Sequence, residues 1–242
     1  MMRVVDSWLV LDGAVRAWSR HRARFEAACA AVGARVPEDG WASFWARVTS
    51  ETPRDGAWFP RVSAAAGGAP EFVLRAAPAR MPDVAVWVPG AADGDAVGAA
   101  DRRVAPRLKG PDLDDLVALR GRAREVGADE VLLVSDDGWA VEAANSSLMW
   151  WEDDVFCIPS RALPALDGVT VGLILEEVAR RGIEIRERLV TPVELMGHEV
   201  WLTSALQGIR PVSRWVGPDG SSVPAASAPR AGEWVGWLLT VA

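Results

Sequence analysis

The sequence predicts a mixed α/β (α+β) fold in two domains, and three features predict it. Segments with apolar residues three and four apart alternate with short apolar, β-branched runs. Asp-Gly pairs between such runs, at Asp12-Gly13 and Asp137-Gly138, mark hairpins. The stretch 77–82 (APARMP) reads as a linker between a small N-terminal α+β domain, 1–78, and a larger C-terminal domain, 79–242.

In chain order, strands at 4–10 and 14–18 flank Asp12-Gly13. A helix over 19–32 carries Phe25, Ala28, Cys29 and Val32 on one stripe and stops at Gly33. A second helix, 38–50, carries Trp41, Phe44, Trp45 and Val48. Strands at 57–63 and 71–76 complete the first domain. Residues 84–88 begin the second as a buried strand, and 90–104, rich in Gly, Ala and Asp, reads as a loop. A helix over 113–126 ends at Gly127. Hairpins follow at 131–134 with 140–143 and at 147–151 with 155–158. A helix over 170–181 stops at Gly182, and 183–189 and 200–203 are strands around a helical turn at 192–196. The tail is read as strands at 214–216 and 234–241 around a mobile loop at 223–232.

Composition narrows the function. The net charge is −7 and no basic run occurs, which argues against a nucleic-acid partner. No stretch of 18 apolar residues exists, so no membrane span is expected. The N-terminus meets Asp6 too early for a signal peptide and reads as a strand. Two cysteines, Cys29 and Cys157, are too few for a disulfide framework and fit a reducing, cytoplasmic setting. No metal site is expected. There are 13 tryptophans and no tyrosine, and of 26 basic residues only Lys109 is a lysine. A GC-rich coding bias accounts for the scarcity of lysine but not for the survivor. Arginine replaces lysine as a solvated charge, yet its guanidinium stays protonated and cannot form an imine.

Around that lysine the sequence reads Arg107-Leu108-Lys109-Gly110-Pro111-Asp112-Leu113. Downstream come Gly127-Ala128-Asp129-Glu130-Val131-Leu132-Leu133, Asp137-Gly138-Trp139-Ala140-Val141-Glu142 and Asp167-Gly168-Val169-Thr170. Then follow Leu202-Thr203-Ser204-Ala205-Leu206 and Arg210-Pro211-Val212; upstream lies His21-Arg22-Ala23-Arg24-Phe25. In this order, with Glu142 standing 33 positions after Lys109, the set resembles the class IV aminotransferases over roughly residues 4–216. That family has the two-domain PLP fold type IV, D-amino acid aminotransferase-like, with pyridoxal 5'-phosphate (PLP) in the cleft between domains.

The resemblance implies that Lys109 holds PLP as a Schiff base and, once released by the incoming amine, acts as general acid–base. Glu142 then faces the pyridine nitrogen and stabilises its protonated form. The phosphate falls to Arg24, to the N–H groups of Val169 and Thr170 at a helix start, to the Thr170 hydroxyl and to the N–H of Ala205. Arg61 and Arg107 are candidate binders of a substrate carboxylate. His21 and His198 read as structural.

The chain departs from the family pattern in several places. Ala205 stands where relatives have a hydroxyl, Ser147 where they have Asn, Val171 where they have Arg, and Asp112 where they have Asn. The Ser-Arg-Gly strand end is Ser63-Ala64-Ala65, and no phenol exists to meet the cofactor's O3'. Within the family, the lysine–glutamate spacing, the Ser-Ala-Leu stretch and the compact size favour 4-amino-4-deoxychorismate lyase, which yields 4-aminobenzoate and pyruvate for folate synthesis. A branched-chain or D-amino acid aminotransferase is the alternative, and a non-catalytic PLP-binding relative is the third. The expected partners are a small-molecule amine substrate and, as the family implies, a second copy in a homodimer.

Overall fold

The computed structural model describes residues 2–90 and 100–241. Most of the expected loop at 90–104 therefore lies outside the described residues. The chain is a mixed α/β fold with two compact units. One holds the chain up to Arg80 together with Leu108–Asp112; the other holds Met81–Arg107 and Leu113–Thr240.

The first unit contains β1 (Arg3–Ser7), β2 (Val10–Leu11), β3 (Ala14–Val15), α1 (Trp18–Ala31), α2 (Gly40–Glu51), β4 (Ala57–Trp58), β5 (Arg61–Ala65) and β6 (Glu71–Val73). Its strands form two small sheets, β1-β5-β6 and β3-β2-β4. The β2–β3 turn needs left-handed backbone at both central residues, and Asp12 (φ 47°) and Gly13 (φ 79°) supply it. The single strand expected at 4–10 is instead broken after Ser7. There the chain leaves the sheet so that the buried Trp8 can meet Trp18 and Trp45 edge-on, at 4.9 and 6.2 Å between ring centres. Val4, Val62 and Ala64 on the sheet face Phe25, Ala28 and Trp45 on the helices, and Leu108 packs against this core.

The segment carrying Lys109 thus belongs by contact to the first unit, although the sequence reading assigned it to the second domain. A backbone bond fixes it there: the Val5 N–H donates to the Lys109 carbonyl at 2.8 Å. Gly110 makes this approach possible. Its φ is +128°, and a Cβ there would stand 2.6 Å from the Arg3 carbonyl oxygen and 2.8 Å from the Val5 nitrogen.

The second unit is built on one sheet of nine strands among the described residues, in the order β12-β11-β10-β13-β14-β7-β8-β9, with β15 on β14. The strands are β7 (Val84–Trp87), β8 (Glu130–Val134), β9 (Ala140–Ala143), β10 (Ser147–Glu152), β11 (Val155–Pro159), β12 (Ile185–Arg188), β13 (Glu199–Ser204), β14 (Gly208–Val216) and β15 (Ser222–Pro224). The helices are α3 (Leu113–Glu125), α4 (Val169–Arg180), α5 (Pro192–Leu195) and α6 (Ala231–Thr240). Gly127 (φ 81°) and Gly182 (φ 70°) follow α3 and α4, as their helical patterns require. The central strands are buried along nearly every residue, which is why they read as continuous apolar runs.

The tail corrects two expectations. Residues 234–240 are helix, not strand: Ala231, Trp234 and Leu238 are buried at helical spacing, although the run of Trp, Val and Leu reads as a strand. Residues 223–232, read as a mobile loop, are largely tied down. Glu199 on β13 accepts the Arg230 and Ala231 N–H groups, each at 3.1 Å, and so caps α6 from outside its own sequence. Glu199→Ala is expected to cost about 1–3 kcal/mol in urea unfolding, because buried amides lose their acceptor. Amide exchange should speed first in α6. No helix among the described residues is long and apolar enough to cross a membrane.

Candidate active site

In the first unit, strand β1 carries Asp6 inward, opposite Val62 of β5, and α1 lies over it. His21 and Arg24, three apart on the helix, share the face that meets Asp6. Arg24 engages it in a fork, Nε to Oδ2 at 2.9 Å and Nη2 to Oδ1 at 2.7 Å, while His21 Nδ1 lies 3.2 Å from Oδ1. Burial alone would push the Asp6 carboxyl up. Arg24, the His21 hydrogen bond and Lys109 outweigh it and hold Asp6 well below the usual carboxylate range. Burial likewise lowers His21, against the pull of Asp6. The histidine is thus a hydrogen-bond partner of Asp6.

Lys109 shares this neighbourhood. Loss of water around its amine lowers its pKa; Asp6 opposes that, and the charges of Arg24, Arg61 and Arg75 press it down to about 8. An ordinary lysine is almost wholly protonated near neutrality, whereas this one has an appreciable neutral, nucleophilic fraction. Arg61 stands on β5 opposite Ser7. Arg75 donates from Nε to the Phe59 carbonyl at 3.1 Å and from Nη2 to the Ser7 hydroxyl at 3.2 Å, and its guanidinium lies 5.1 Å from the Phe59 ring centre. Burial, then the charge of Arg61, lowers the Arg75 pKa. Around Lys109, three guanidiniums therefore face one carboxylate, and Arg24 already holds that carboxylate.

In the second unit, Glu142 sits on β9 opposite Leu133 of β8 and is 4 % exposed. Its Oε1 accepts from Arg103 Nη1 at 2.5 Å and from the Leu166 N–H at 3.0 Å. Arg103 in turn forks onto Asp101, Nε to Oδ1 at 2.7 Å and Nη2 to Oδ2 at 2.6 Å, and reaches the Pro164 carbonyl at 3.1 Å. Burial pushes the Glu142 carboxyl up, and Arg103 opposes it. For Arg103, burial works against the cation, but Asp101 and Glu142 prevail and hold it firmly protonated.

Gly168 is the N-cap of α4, and no side chain caps that helix. Val169 and Thr170 are buried in its first turn. A Cβ on Gly168 would stand 2.7 Å from the Ser147 hydroxyl, so the backbone here tolerates no side chain without a shift. Ala205 lies in the turn between β13 and β14. Arg107 is exposed, and its Nη2 donates to the carbonyls of Arg161 (3.2 Å) and Leu163 (3.4 Å). The first unit thus gathers Lys109, Arg24 and Arg61, and the second gathers Glu142 with Arg103 rather than with Arg107.

Asp6 and Arg75 around Lys109, and Asp101 and Arg103 around Glu142, were not singled out by any sequence motif. A charge inside the apolar run Val4-Val5-Asp6-Ser7-Trp8 was the one legible signal; the Asp101-Arg102-Arg103 triplet looked like a solvated loop.

Over residues 3–215 the chain matches the class IV aminotransferase family and belongs to it. Members are PLP-dependent enzymes, and PLP is the cofactor of this one. The residues present fit that group: a lysine amine with a lowered pKa amid surplus cations, a buried carboxylate, and a helix start left without a side-chain cap. Among curated proteins none matches at the sequence level. Solved structures are similar in fold. A Legionella pneumophila protein provisionally described as 4-amino-4-deoxychorismate lyase has 16% identity, covers 100% of this chain and 91% of its own, and gives a TM-score of 0.79. The PLP-bound form of a hypothetical aminotransferase from Mycobacterium tuberculosis has 19% identity, coverages of 99% and 88%, and a TM-score of 0.78. A branched-chain aminotransferase from Thermoproteus uzoniensis has 17% identity, coverages of 98% and 84%, and a TM-score of 0.81. At such identities the likeness fixes the fold, not the reaction.

Proposed function

We propose that this enzyme is a 4-amino-4-deoxychorismate lyase, releasing 4-aminobenzoate and pyruvate. The observation that carries the reading is the charge around Lys109: Arg24, Arg61 and Arg75 against Asp6 alone. An amine bearing two carboxylates suits such a surplus better than a monocarboxylate with an apolar side chain does. When bound, PLP supplies an aldehyde for an amine and a ring that withdraws electrons.

In this reading Lys109 would hold the cofactor through its amine and would serve as the acid–base group beside the amine-bearing carbon of the substrate. A lysine with a pKa of about 8 is matched to that work near neutrality. Glu142 meets the ring nitrogen. Arg24, the N–H groups and hydroxyl at Val169 and Thr170, and the Ala205 N–H serve the phosphate. Arg61 and Arg75 hold carboxylates. Arg107, committed to two carbonyls, is left out of the site. The amine substrate is handled by a homodimer in the cytoplasm.

The test is a pair of assays on the PLP-loaded protein. Formation of pyruvate with 4-aminobenzoate from aminodeoxychorismate supports the lyase. Failure there, with exchange between an amino acid and a keto acid, assigns an aminotransferase instead.

A further inference from the structure

We propose that Arg103 is a positioning residue acting through Glu142: together with Asp101 it fixes at −1 the charge that this buried trio presents to the ring nitrogen of PLP. The proposal rests on the reading that Glu142 meets that nitrogen.

Three observations carry it. First, Arg103 is a built part of the site. Its side chain is 8 % exposed, and it is held by a fork to Asp101, a 2.5 Å bond to Glu142 and the Pro164 carbonyl. Asp101 itself is tied to the sheet, since its N–H donates to the Val134 carbonyl at the end of β8 at 2.7 Å. Glu142 sits on the neighbouring strand β9, so one sheet edge sets the spacing of all three groups.

Second, both hydrogen bonds that Glu142 accepts go to Oε1. Among the described residues Oε2 accepts none. One oxygen is fixed by Arg103 and Leu166, and the other is left for a donor that the described residues do not provide.

Third, the charges do not close. Two carboxylates, 5 % and 6 % exposed at their side chains, share one guanidinium that cannot give up its proton. Among the described residues no second cation pairs with either carboxylate. A buried net charge of −1 is costly unless a cation compensates it, and a pyridinium N–H would supply both that charge and the donor for Oε2. Without Asp101, Arg103 would neutralise Glu142 outright. The ring nitrogen would then have no reason to hold a proton.

The readout is the protonation of that nitrogen, followed by NMR on holoenzyme carrying PLP labelled with nitrogen-15 in the ring. D101N, which keeps shape and removes one charge, is expected to move the resonance toward the unprotonated form. It should also weaken PLP binding about tenfold or more, the scale on which outer partners act on a bound group. The double variant D101N/R103M leaves Glu142 alone with its single charge and should return the resonance most of the way. A purely structural role would not be rescued by removing both partners. A D101N protein with wild-type resonance and affinity overturns the proposal, as does a double variant no better than D101N. If D101N alone does not fold, the double variant must show a resonance close to the wild-type, protonated position, and one at the unprotonated position is equally fatal. A wild-type holoenzyme with an unprotonated ring nitrogen removes the reading of Glu142 and this proposal together.

Discussion

Replacing Lys109 with alanine is expected to abolish borohydride-stable attachment of PLP and to lower turnover by at least about 10²–10⁴-fold, the range supplied by one positioned acid–base group. Lys109→Arg should fail nearly as badly. It restores a cation beside Asp6, but a guanidinium neither forms an imine nor exchanges a proton near neutrality. Stability separates lost chemistry from lost fold. The folded protein disfavours the ammonium, with a pKa of about 8 against the ordinary 10.5. Between those values the unfolded chain still holds a proton that the folded chain has shed. The apoprotein should therefore gain stability as pH rises from about 8 toward 10.5, and K109A should lack that gain. Below pH 8, K109A relieves the like charges of Arg24, Arg61 and Arg75 around the ammonium and should melt no lower than wild type. Calorimetry across this window, beside kcat, checks both statements.

Gly110→Ala should be the most disruptive single methyl in the first unit. The position demands φ +128°, and the added Cβ would fall 2.6, 2.8 and 2.9 Å from backbone atoms of Arg3, Val5 and Val4. A strained φ and a backbone overlap each cost about 1–3 kcal/mol, so roughly 2–6 kcal/mol should be lost in urea unfolding. Relief is available by moving the 108–112 segment away from β1, which would break the bond from Val5 N–H to the Lys109 carbonyl. G110A should therefore lose PLP affinity as well as stability. An alanine at Gly33, where φ is +68° and a Cβ meets nothing within 4 Å, is the control for a positive φ without overlap and should cost less.

Much of the architecture was legible because local and tertiary demands agree. Helices α1 and α2 showed apolar stripes, α1, α3 and α4 were closed by Gly33, Gly127 and Gly182, and both Asp-Gly turns fell where strands reverse. The failures came where a distant residue decides. Helix α6 is capped by Glu199, far back in the sequence, and nothing near Arg230 announced that acceptor. The strand through Val4 is cut short by the demand of Trp8 for Trp18 and Trp45. The site divides in the same way. Lys109 was legible as the lone lysine, and both it and Glu142 through the ordered motifs that resemble the class IV aminotransferases. Arg103 and Arg75 did not, being two arginines among many, and only burial and hydrogen-bond partners single them out.

The central claim is that the single lysine carries the cofactor. Borohydride reduction of the PLP-loaded protein, followed by peptide mapping at several pH values, tests it most directly. The account predicts one phosphopyridoxyl group per chain, on the peptide containing Lys109, with a rate of attachment to the apoprotein that rises with pH around a midpoint near 8. A reduced adduct confined to the N-terminal amine, or no adduct at Lys109 at any pH, would contradict it.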